Sequence, residues 1–363
     1  LYITTFGFLI DRPLSIGLLN LEINQKALRL SALASPKIVI IAGSNGPYSH
    51  SCVVIGAMLG MPCENAGIAV GIGLDFVFAD YGAGLRPGDI VYMPMETAQY
   101  VTTRAEDRSG ADAEILLHDH RVLLAALPLD RILGAVFCCT LGDLIESTVE
   151  MPVASIGVIA PARILSDEYN REGDRIDAPL AGADTELLWQ ASRVEPDAAG
   201  IDSGYGTALI RAFVADESHR GVVVIGGLPT DFSTERRSPA AIAAIAAVYE
   251  SNAGKFMILS NQSEYPIGDF FNSEDHLAQP CQYLHSILVA QGLGRLIGRQ
   301  PHPPGPAIIN LAVTCPSYQA ISAALWPAIR AQASASSSSK SSASLRIMVP
   351  PSSSASTMVT ARR

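Results

Sequence analysis

The chain has 363 residues, 48% of them hydrophobic, 17% charged and 6% aromatic, with a formal net charge of −10. That length buries one large core or two modest ones, and the Ala/Val/Ile/Leu/Gly-rich composition suits an α/β enzyme better than a β-sandwich or a disordered protein. Lys340, Arg346, Arg362 and Arg363 lie in a tail without acids, so the body ahead of it is more acidic still. Such a body repels phosphate backbones, which argues against nucleic-acid partners.

Residues 1–36 read as a lead-in with a polar helix over 21–33. The apolar start is interrupted by Asp11, Arg12 and Pro13, well short of the roughly 20 clean residues of a membrane span. The first residue is Leu rather than Met, which leaves room for an upstream signal or anchor. The β-branched run at 37–42 predicts a buried strand that breaks into the turn Gly43-Ser44-Asn45-Gly46. A helix over 51–59 follows, then a short strand and turn over 62–67, a loop with Gly71 and Gly73, a helix over 74–81 and a buried strand over 90–93. Alternation of this kind predicts a doubly wound, mostly parallel α/β sheet with helices on both faces, a three-layer sandwich.

Residues 100–200 read as a helical insertion, with helices over 115–127 and 131–145, a strand over 151–160 and a charged loop over 166–183. The pattern then sharpens: a helix over 207–215, a strand over 221–227 and an Ala-rich helix opened by Ser238-Pro239, a Ser N-cap with Pro at N1. A strand over 255–260, a polar, aromatic loop over 261–273 and a helix over 275–291 complete the unit. A last strand is expected over 307–313 and a last helix over 318–331. The expected organisation is a lead-in (1–36), an α/β domain (37–300), a C-terminal extension (301–332) and a disordered Ser/Ala-rich tail (333–363).

Six cysteines show no CxxC pair and no finger spacing, and most read as small buried hydrophobes; a Cys52–Cys63 disulfide is left open. His118-Asp119-His120 is half a metal site with no third ligand in view, so no metal is expected. The glycines at 67, 71 and 73 lack the dinucleotide fingerprint, and no cofactor is expected. His50 is nearer to Ser44 in sequence than any other histidine, but its place at a helix start turns it away.

Serine acyl transfer needs an exposed hydroxyl, a base beside it and donors for the oxyanion. In parallel α/β sheets these gather at the carboxyl ends of strands. Four pieces fall there: Gly43-Ser44-Asn45, Asn65-Ala66-Gly67, Gly227-Leu228-Pro229-Thr230-Asp231 and Glu274-Asp275-His276-Leu277. Each also has a plainer reading: Ser44 as a helix cap, His276 as a packing residue, Gly67 as a tight turn and Asn65 as a bridge between loops.

In order and spacing these pieces resemble the SGNH (GDSL-like) hydrolase superfamily. More narrowly, IVIIAGSNGPYSHSC, NAGIAVGIGLDFVF, LRPGDIVYMPMETAQY and SNQSEYPIGDFFNSEDHL are similar to divergent members linked to bacterial exopolysaccharide synthesis and O-acetylation, including those near cellulose synthases. The resemblance covers residues 35–100 and 200–290. It implies Ser44 as nucleophile, His276 as base, Glu274 or Asp275 as the orienting acid, and Gly67 as oxyanion donor, with Asn45, Asn65 and Thr230 beside them. An acyl-carbohydrate or polysaccharide substrate, a membrane acyltransferase or synthase complex as partner, and a periplasmic or exported setting follow from the same resemblance. Three departures stand out. Ser44 follows Gly43 without the usual Asp, Thr230 replaces the third block's Asn, and Ser273 stands three before His276. Glu274 is the preferred acid, because an Asp next to its His in sequence often points away. The departures also support a second expectation, a catalytically degenerate domain serving as a binding or scaffold subunit of a polysaccharide-secretion complex.

Overall fold

The computed structural model of the chain describes residues 14–108, 113, 115, 116, 120–137, 168–190, 196–234 and 236–321. Helix α1 (Leu14–Ala32) leads into strand β1 (Ile38–Ile40), the short helix α2 (Asn45–Ser49), α3 (Cys52–Leu59) and β2 (Cys63–Asn65). Next come α4 (Leu74–Gly82), β3 (Ile90–Met93) and α5 (Thr97–Val101). Further along are α6 (Tyr205–His219), β4 (Val223–Gly227), β5 (Asp231–Phe232), α7 (Pro239–Glu250) and β6 (Lys255–Met257). The described part closes with β7 (Glu264–Tyr265), α8 (Gln279–Ile297) and α9 (Pro306–Ala312).

The main sheet has five strands, all parallel, in the order β2-β1-β3-β4-β6. Every residue of β1 and β3 is buried, as apolar runs covered on both faces require. The step from β1 to β2 runs one way across the sheet, whereas those from β2 to β3, β3 to β4 and β4 to β6 run the other. With a single crossover hand, opposite directions place helices on opposite faces. The packing agrees: α2, α3, α8 and α9 form one group of contacts, and α4, α5, α6 and α7 another. The connections leaving β1 and β3 therefore diverge, and a crevice opens between their carboxyl ends.

Local signals explain the helix ends. The Ser51 hydroxyl accepts from Val54 N–H at the start of α3, and Gly60 ends it in the left-handed region at φ 59°. Ser238 caps α7, with Pro239 in its first turn.

Several expectations change. In place of the strand expected over 307–313, helix α9 (Pro306–Ala312) forms: Pro306 presets the first turn, and the segment packs on α8. Cys281 and Cys315 are not free hydrophobes but a disulfide joining the first turn of α8 to the residues after α9. Cys52 and Cys63 form a second bond, between α3 and β2. The expected loop over 261–273 contains β7, which pairs in parallel with β5. The helix expected from 275 begins at Gln279, with Pro280 in its first turn, so His276 lies in the preceding loop. Within 115–145 the described helices are Arg121–Ala126 and Leu129–Val136. The strand expected at 151–160, His118, Asp119, Cys138, Cys139 and the Ser/Ala-rich tail lie outside the described residues.

Candidate active site

Ser44 sits in the turn between β1 and α2, at the mouth of the crevice. The turn needs glycine on both sides. A Cβ on Gly43 would lie 2.5 Å from Glu96 Oε1, and one on Gly46 would lie 2.8 Å from Gly67 Cα. His276 is delivered by the loop ahead of α8. Phe271 N–H donates to the His276 carbonyl (2.8 Å) and Ala278 N–H to that of Asp269 (2.9 Å), closing the loop into a fixed turn.

The two side chains meet: Ser44 Oγ is 2.7 Å from His276 Nε2. On the far side of the ring, His276 Nδ1 lies 2.6 Å from Asn272 Oδ1. An amide oxygen only accepts, so Nδ1 carries the proton and Nε2 is left to take one from the serine hydroxyl. Tyr48, one turn along from Ser44, stacks on the imidazole with centroids 3.8 Å apart and planes 10° from parallel. The Arg175 guanidinium lies 5.2 Å from the Tyr48 ring centre on the same ring system. Burial, and then the Arg175 charge, lower the His276 pKa to about 3, so the ring is neutral across the physiological range.

The expected acid is not behind His276. Among the described residues no carboxylate forms an ion pair with its ring, and Asn272 holds Nδ1 instead. The Asp275 carboxyl is pushed well up by burial and by Glu96, Glu274 and Asp231. Its main-chain oxygen accepts from Ser49 Oγ (2.7 Å) and Thr230 Oγ1 (3.1 Å). Glu274 enters only as a negative charge near Asp275 and Glu96.

The expected oxyanion donors are committed elsewhere. Gly67 N–H points to Asn65 Oδ1 (3.3 Å), and the residue is a glycine because a Cβ there would meet Pro47 Cδ at 2.6 Å. Asn65 bridges loops, its Nδ2 donating to the carbonyls of Gly46 (2.9 Å) and His50 (3.0 Å). Asn45 Nδ2 donates to Pro94 O (3.0 Å), and its Oδ1 accepts from Thr230 Oγ1 (2.9 Å). The Ser44 N–H, by contrast, has no hydrogen-bond acceptor among the described residues.

Sequence reasoning passed over four groups at this site: Tyr48, Glu96, Arg175 and Asn272. Glu96 had a legible signal, an acid three residues beyond a buried strand of a parallel sheet. Asn272 and Tyr48 each stand four residues from a triad member, a spacing that only the realised turn and helix make meaningful. Arg175 arrives from the 168–190 segment, whose Asp174 accepts from Cys52 N–H at the start of α3 (2.7 Å). His50 faces the core, with Nε2 3.2 Å from His285 Nε2.

A cavity of about 410 Å³ begins at Val70, which packs on Gly43, and continues along Ile72, Leu74, Ala98 and Val101. Among the described residues, Asp269, Cys281 and Cys315 are close enough to share a metal ion, but both sulfurs are taken by the disulfide. No protein-family model, curated protein or solved structure matches the chain.

Proposed function

We propose that the protein is a serine esterase or O-acyltransferase of SGNH-like type. The reading rests above all on one observation, the hydrogen-bonded line Ser44 Oγ, His276 Nε2, His276 Nδ1, Asn272 Oδ1. Ser44 Oγ attacks the ester carbonyl as its proton passes to His276 Nε2. The tetrahedral intermediate collapses, the proton moves from Nε2 to the departing alkoxide, and an acyl-serine remains. Water, or a sugar hydroxyl in a transferase, then gives its proton to the same nitrogen and releases the acyl group. The apolar cavity beside Val70 offers a place for the acyl chain.

Sequence resemblance supports the narrower substrate, a carbohydrate ester of acetyl type, made or removed during bacterial exopolysaccharide or cellulose production beside a membrane acyltransferase or synthase. Two disulfides fit the oxidising compartment such a role requires. Among the described residues no helix is long and apolar enough to cross a membrane.

The second reading, a degenerate scaffold domain, draws on the amide behind His276 where a carboxylate is expected. Fluorophosphonate labelling of the wild type against Ser44→Ala separates the two, together with p-nitrophenol release from its acetate ester. Ser44-dependent labelling and turnover support the enzyme; their absence supports the scaffold.

A further inference from the structure

Two buried hydroxyls join the nucleophile turn to the loop that carries the base. Ser49 closes α2, which starts at the residue after Ser44, and it is fully buried. Its single oxygen holds the main chain on both sides of His276: it donates to the Asp275 carbonyl (2.7 Å) and accepts from the Leu277 N–H (3.2 Å). Thr230, equally buried in the connection after β4, supplies the second hydroxyl, 2.8 Å from Ser49 Oγ and 3.1 Å from the same carbonyl. Thr230 Oγ1 also lies 2.9 Å from Asn45 Oδ1, on the residue next to Ser44. The pair is thus tied at one end to the nucleophile turn and at the other to both peptide groups of His276.

Ser44 and His276 stand 232 residues apart in sequence, so both the ring's orientation and its loop's position must be fixed for a proton to pass. Asn272 and Tyr48 orient the ring. The hydroxyl pair places the main chain of the loop against α2. Without solvent exposure, water does not replace a lost bond there, and loss of the Ser49 hydroxyl leaves the Leu277 N–H without its acceptor. We propose that Ser49 and Thr230 are positioning residues, whose paired hydroxyls hold His276 Nε2 within reach of Ser44 Oγ. The inference rests on the serine acyl-transfer reading and gives Thr230 a role other than contact with the oxyanion. A displacement of about 1 Å can cost about 100-fold in rate, so the loss should be read in the chemistry.

The test combines fluorophosphonate labelling rates with a double-variant cycle, and thermal melts confirm folding. Ser49→Ala should label about 100-fold slower than wild type, with kcat for p-nitrophenyl acetate lowered and KM unchanged, because a buried hydroxyl binds no substrate. Thr230→Val, of the same shape, should slow labelling by about tenfold or more, and Thr230→Ser, which keeps the hydroxyl, should stay within about threefold of wild type. In a His276→Ala background, labelled for hours at high probe concentration, the Ser49→Ala effect should shrink to about threefold or less, since no base is left to place. Should Ser49→Ala not fold, the Thr230 pair decides in the same cycle. An effect of equal size in both backgrounds overturns the proposal, because it marks a role in Ser44 or in the fold at large. A Thr230→Ser protein as slow as Thr230→Val overturns it too. Ser44-dependent labelling that folded Ser49→Ala and Thr230→Val leave unchanged overturns the positioning role alone. Wild-type labelling that is absent, or that survives Ser44→Ala, overturns the acyl-transfer reading itself.

Discussion

His276 Nδ1 is held by the amide oxygen of Asn272 at 2.6 Å, where a carboxylate would stabilise the charged ring. The amide selects the right tautomer but gives the imidazolium no counter-charge. Asn272→Asp should therefore raise the His276 pKa from about 3 and speed Ser44 labelling by about tenfold or more, with the acid limb of the pH profile moving upward. Asn272→Leu should slow labelling, because the ring loses its orienting acceptor. Labelling rates across pH for the two variants check both outcomes.

Tyr48 lies flat on His276, and its own ring is backed by Arg175. Tyr48→Phe keeps the stack and should label close to wild type. Tyr48→Ala frees the imidazole to rotate and should cost about tenfold or more in labelling rate, since small losses of alignment weigh heavily on proton transfer. The melting temperature, measured alongside, separates loss of alignment from loss of fold.

His50 is fully buried, with Nδ1 3.2 Å from the Asn45 carbonyl and Nε2 against His285. Burial lowers its pKa from 6.5 to about 4, and His285 is lowered in the same direction. Between those values the unfolded chain holds the extra proton. Stability should thus fall as pH drops from about 6.5 towards about 4, by roughly 3 kcal/mol at most from His50. Glu64 and Glu96, pushed up to about 8 and about 7, tilt the profile the opposite way as pH rises from the ordinary carboxylate range. Chemical denaturation of His50→Gln and wild type at several pH values isolates the histidine part: the variant should lose less stability on acidification.

The two disulfides close loops of different length, with sequence separations of 11 and 34. In the chain-entropy account the longer loop contributes more, about 4 kcal/mol against about 3 kcal/mol. The Cys281→Ser/Cys315→Ser pair should lower the melting temperature more than the Cys52→Ser/Cys63→Ser pair. Scanning calorimetry of both double variants ranks them.

Gly67 and Gly46 pack face to face, so a methyl group at 67 would strike Pro47 Cδ and the Gly46 backbone. Gly67→Ala should destabilise the fold by about 1–3 kcal/mol and displace α2 together with Ser44. Denaturation midpoints and labelling rates should fall together.

Strand β3, helix α7 and the turn around Ser44 were legible because their signals are local: a β-branched run, a Ser-Pro start and small residues at a break. Residues 307–313 misled because a short apolar run fits either a strand or a buried helix, and contact with α8 decides between them. The acid behind His276 was sought next to it in sequence. The loop instead folds back so that Asn272 reaches the ring, and no local rule reveals that turn.

Sequence alone determined the parallel α/β class and put Ser44 in the turn after a buried strand, because periodicity and turn chemistry depend on near neighbours along the chain. Only the tertiary structure decided that Ser44 and His276 meet, that Asn272 rather than an acid stands behind the ring, and that Glu96 lies against the nucleophile. Those contacts join residues from separate strands and loops. Their partners are chosen by where the diverging crossovers open the sheet, a property of the whole fold and of no single stretch of it.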